Sequence, residues 1–133
     1  MKEYLRSTEK IMNWDITIDE RNKYVEIVTK GIADKDGSIE MAKTIAETMR
    51  HNRLTRALID HCNITSVSGD EIDVYERPSL FRLIGTILGI KIAAIIKPEH
   101  KEHFGFLETV CLNRGYRYMV FFDKIDALKW LLD

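Results

Sequence analysis

The chain has 133 residues, enough for one hydrophobic core, and no linker suggests a second domain. Lys and Arg total 20 against 21 Asp and Glu, a net charge of -1 that gives no electrostatic reason to expect nucleic acid or a membrane surface as partner. Hydrophobic residues at 45% and charged residues at 31% make an ordinary globular mixture and exclude a disordered composition.

Residues 1–11 read as a polar lead-in. The first ten are charged throughout and lack the apolar stretch of a secretory leader, so a cytoplasmic location is expected. Residues 13–19 alternate, with Trp14, Ile16 and Ile18 on one face, the period of a half-buried strand. Residues 24–33 form a second strand with Val25, Ile27 and Thr29 on one face, and the short charged turn between the two predicts an antiparallel hairpin. Residues 34–38 are expected as a loop in which Ser38 caps a helix. That helix places Ile39, Ala42, Ile45, Ala46 and Met49 on one face.

Ala57, Leu58 and Ile59 make a short buried strand that ends at Asp60, with residues 64–69 as a loop. Ser68 followed by Glu71 matches a capping box for a helix spanning 72–88, which Pro78 should kink. The apolar stretch 80–96 carries Arg82 and Lys91 and is interrupted by Gly85 and Gly89, so it reads as helix followed by buried strand, not as a membrane span. Pro98 suits the first turn of a third helix lined by Phe104, Leu107 and Cys111. Gly115 stops it, residues 117–122 form the last strand, and Asp123 caps a final helix in which Ile125, Leu128, Leu131 and Leu132 pack inward, with Ala127 between them. The order is β-β-α-β-α-β-α-β-α: a single α/β domain with one mixed sheet of about five strands and about four helices.

At its C-terminal third the chain resembles the STAS superfamily in its SpoIIAA-like branch. The residues that carry the likeness are Phe106-Leu107-Glu108-Thr109-Val110, Asn113-Arg114-Gly115, Val120-Phe121-Phe122-Asp123 and Ala127-Leu128-Lys129-Trp130-Leu131. The resemblance implies a bacterial, non-enzymatic signalling domain that binds a protein partner, as anti-sigma factor antagonists do. It further implies a switch by phosphorylation of a serine in an Asp-Ser-Ser-Gly motif. Here Val67 precedes Ser68-Gly69, so that motif is not intact, and Ser68 and Ser66 are the candidate modified residues. The branch is also compared with CRAL-TRIO lipid-transfer domains, which implies a small-molecule alternative.

The expected interaction surface comprises Asp60, Asp70, Glu71 and Tyr75, and the expected apolar ligand pocket Tyr75, Leu80, Phe81 and Ile84. The edge strands of the opening hairpin offer unpaired backbone to a homodimer. Cys62 and Cys111 read as reduced core thiols. His100 and His103 share a helical face at i, i+3, but their charged neighbours suggest a solvated face and not a metal site. His61 and Cys62 are adjacent, which on a strand sends them to opposite faces. No catalytic group, metal or cofactor is expected.

Overall fold

The computed structural model describes residues 11–67 and 90–133. Five strands form one sheet in the order β1-β2-β3-β4-β5, identical to their order in the chain. They are β1 (Met12–Asp19), β2 (Tyr24–Ala33), β3 (Arg56–Val67), β4 (Lys91–Ile95) and β5 (Arg117–Phe121). β1 pairs antiparallel with β2, and the remaining pairs are parallel. Three α-helices are described: α1 (Lys35–Asn52), α2 (Lys101–Asn113) after a 3-10 turn at Pro98–His100, and α3 (Lys124–Leu131). The expected helix at 72–88 lies outside the described residues, so three of the four expected helices are described beside the mixed α/β sheet. No described helix is long and apolar enough to cross a membrane.

The alternation of side chains along the strands divides the core into two faces. Val25, Ala57, Ile92 and Tyr118 stand in register across four strands and face α1 and α2. Leu58, Ala93 and Ile95 face the other way, against Ala127 and Leu131 of α3. Successive crossovers of one hand explain why α1 and α2 share a face, while α3, which follows the edge strand, folds back over the opposite one.

The helix start differs from the expected one. Asp34, not Ser38, is the N-cap: its carboxylate accepts the Gly37 N–H at 3.1 Å. Gly37 permits this closure, because a Cβ there would lie 2.5 Å from Asp34 Oδ1 and 2.8 Å from Met12 Cβ. Ser38 falls inside the first turn, and the buried stripe is Met41, Ile45 and Met49, a simple i, i+4 repeat. In α3 the expected cap holds, with Asp123 accepting the Asp126 N–H at 2.8 Å. Ile125 is nevertheless 73% exposed and does not pack inward. It stands about 200° around the helix from Ala127, which with Leu131 faces the sheet.

β3 also departs from expectation. Asp60 is not the strand end; it is the last rung shared with β4, opposite Ile95. Beyond it the strand continues against β2 alone, from Lys30↔Asn63 to Ala33↔Val67, with one register shift before this stretch, between Val28 and Lys30, and one within it, between Gly31 and Ile32. Thr65 Oγ1 fastens this extension by donating to the Gly31 carbonyl at 3.1 Å. Gly31, at φ 94, lets the backbone of Ile11 pass close by, since a Cβ there would lie 2.2 Å from the Ile11 carbonyl oxygen. Residues 64–67, expected as loop, are therefore strand, and Ile64 is fully buried.

Candidate functional site

The extension of β3 lies at the carboxyl end of the parallel strands, and in open α/β sheets ligands and partners gather at the carboxyl ends of the strands. There the two faces of β3 carry different chemistry. His61 points into the protein and is 3% exposed, whereas Cys62 is exposed. The expected opposition of these neighbours therefore holds, but the expectation that Cys62 is a core thiol does not. Asp60 arranges the turn of chemistry between them: its carboxylate accepts the Cys62 N–H at 2.9 Å. The Cys62 thiol is pushed up to about 11, first by partial desolvation and then by donating to, and lying near, the Asp60 carboxylate. Cys111 is buried as expected, and burial pushes its thiol up to about 12.

On the inner face three histidines surround one phenylalanine. His61 stacks on Phe104 with ring centroids 4.6 Å apart and planes 18° apart. His103 meets the same ring edge-on at 4.9 Å, and His100 approaches it at 6.5 Å. Ala33, Ile64 and Ile96 complete the apolar surroundings of Phe104. His100 is only 7% exposed, so the expectation of a solvated His100–His103 face is corrected. The 3-10 turn at Pro98 rotates His100 inward before α2 begins, which periodicity counted from α2 alone cannot show. His100 Nδ1 is buried without a hydrogen-bond partner.

The chemistry of the cluster follows from its dryness. Burial is the main cause holding the His61 imidazole down to about 4; Asp60 opposes this, while His103 and His100 add to it. His61 is therefore neutral at physiological pH, with Nδ1 2.7 Å from Thr29 Oγ1. Cys62 lies on the opposite side of the strand and keeps its proton, so the adjacent pair is not an activated nucleophile. Among the described residues no three His, Cys, Asp or Glu side chains are placed to hold a metal ion.

Of the residues singled out in the sequence, Asp60 and Ser66 lie on β3, with Ser66 exposed opposite Ile32. Ser68, Asp70, Glu71, Tyr75, Leu80, Phe81 and Ile84 lie outside the described residues, and so do the capping box and the expected ligand pocket. The inward histidine cluster was missed. Its local signal is that His61 shares the alternation of Ile59, the buried face of β3.

No family model matches the chain, and no curated protein matches it. Solved structures share its fold. An uncharacterized protein from the DUF3478 family with a SpoIIAA-like fold, from Shewanella loihica, is 20% identical, with 90% of this chain and 93% of that one aligned at a TM-score of 0.55. An anti-sigma factor antagonist from Mycobacterium paratuberculosis is 11% identical over 92% and 95% of the two chains, with a TM-score of 0.57. The anti-sigma factor antagonist SpoIIAA in its unphosphorylated form is 13% identical over 89% and 96%, with a TM-score of 0.53. At these identities the likeness is one of fold: the chain has a SpoIIAA-like fold.

Proposed function

We propose that the chain is a non-enzymatic, cytoplasmic regulatory domain that binds a protein partner through the carboxyl end of its sheet. The observation that carries this reading is the extension of β3 past β4, which leaves Cys62, Asn63, Thr65 and Ser66 exposed along a strand anchored by β2. A surface held by a ladder is pre-organised, so docking on it orders little additional chain. Further support comes from the shared fold, which two anti-sigma factor antagonists also have. Ser66 is an exposed serine on this segment, and a phosphate there would add about two negative charges to the docking surface; Ser68, two residues on in the sequence, is the other candidate for modification.

Site-specific photo-cross-linking in the native host tests the reading. A cross-linker at Thr65 should give one discrete adduct that a cross-linker at Glu47, exposed on α1, does not give. The captured protein, purified, should rebind the wild-type chain, and an Asn63→Arg substitution should abolish that binding. Absence of a discrete adduct at Thr65, or the same adduct from both positions, would overturn the proposal.

A further inference from the structure

The opposite end of the sheet holds a different kind of site. A cleft of about 530 Å³ opens there, where the β1–β2 turn, the end of α1 and the start of β3 meet. Its size falls in the range of small-molecule sites. Three cations line it, Lys23, Arg53 and Arg56, against a single carboxylate, Glu20. The chain as a whole is nearly neutral, so this is a local excess of positive charge. The ion pairs among the described residues join Lys97 to Glu99 and Lys124 to Glu26, and none engages the cleft's cations.

The backbone supplies a second, independent observation. Lys23 at φ 58 and Arg53 at φ 55 are the described non-glycine residues in the left-handed region. Lys23 closes the hairpin turn, its N–H bonding to the Asp19 carbonyl at 2.8 Å. Arg53 closes α1, its N–H directed at the Arg50 and Met49 carbonyls. Glycine or asparagine is the unstrained choice at both reversals, yet both positions hold a long cationic residue, and both residues line one cleft. The negative end of the α1 dipole accounts for a cation at Arg53. It does not account for Lys23, which comes from the hairpin, or for Arg56, which comes from β3.

We infer that this cleft binds a small phosphate-bearing molecule. The Arg53 and Arg56 guanidinium forks suit paired phosphate oxygens, and Lys23 adds a point charge. Glu20 then accepts from a hydroxyl of the same ligand, which favours an organic phosphate over the free ion. The inference stands apart from the proposed partner surface at the other end of the sheet.

Backbone amide NMR of the intact protein, titrated with pyrophosphate and with glucose 6-phosphate at fixed ionic strength, tests it. Saturable shifts should concentrate at Lys23, Asn52, Arg53 and Arg56, and chloride at equal ionic strength should not reproduce them. The Lys23→Gly/Arg53→Gly variant removes two charges while relieving both backbone positions. It should melt no lower than wild type and bind at least about tenfold more weakly, so loss of binding cannot be blamed on unfolding. Arg56→Gln should weaken binding similarly, whereas Glu20→Gln should tighten pyrophosphate and weaken glucose 6-phosphate. Shifts that chloride reproduces, or unchanged affinity in either the double-glycine or the Arg56→Gln variant, would overturn the inference.

Discussion

The hydroxyl of Thr29 on β2 lies 2.7 Å from Nδ1 of His61 on β3, both side chains buried, and this contact gives the buried ring a polar partner. The same hydroxyl lies within hydrogen-bond distance of the Asp60 carbonyl, at 3.2 Å, and so ties β2 to β3 at this point. A second proton on His61 has to enter dry, apolar surroundings beside Phe104 and two further histidines.

Acid should consequently unfold this protein through His61. The folded imidazole titrates near 4, against 6.5 when exposed, so the unfolded chain takes the proton first. The stabilisation is complete above pH 6.5 and is lost as pH falls from there through about 4, a difference on the order of 3 kcal/mol. Urea melts across this window should show wild type losing more stability than His61→Phe. Equal slopes for the two proteins would mean that His61 is not held neutral by burial.

The two candidate caps of α1 make contrasting predictions. Asp34→Ala should cost about 1 kcal/mol, because it orphans the Gly37 N–H, whereas Ser38→Ala should cost less than about half of that. Thermal melts of the two variants decide between them.

The same contrast shows what a sequence conveys. The β1–β2 hairpin was legible because Trp14 and Ile16, then Val25 and Ile27, repeat with the period of a strand, and the observed register places them on one face. α3 was legible from Asp123 and the Ala127–Leu131 pair. Asp34 was passed over because Ser38 looks equally competent, and only the close approach of Met12 to Gly37 distinguishes them. The second half of β3 was illegible for a deeper reason. His61 to Val67 is mostly polar, and it is strand only because Lys30 to Ala33 of β2 extend far enough to pair with it. The histidine cluster likewise needs β3 and α2 brought together, which no local pattern encodes.

Glycines separate strain from space. Gly31→Ala drives a methyl group to within 2.2 Å of the Ile11 carbonyl at φ 94, and should cost more than about 2 kcal/mol while loosening the extension of β3. Gly105→Ala meets nothing within 4 Å and sits inside α2, so it should stabilise by about 0.5–1 kcal/mol. Chemical denaturation of both variants checks the opposite signs.

Alkylation should distinguish the two cysteines by different causes. Cys111 is shut away and should resist iodoacetamide until the protein unfolds, whatever the pH. Cys62 is open to reagent, but its thiol is held near 11, so at pH 8 it carries on the order of a hundredfold less thiolate than an ordinary cysteine. Its labelling should be slow at pH 8 and should climb steeply towards pH 11. Asp60→Asn removes the carboxylate that receives the thiol proton, and it should move that climb to lower pH and speed labelling at pH 8. Fast labelling of wild-type Cys62 at pH 8 would show that Asp60 does not hold the thiol proton. The β3 extension, and with it the proposed docking strand, would then be less ordered than the ladder with β2 implies.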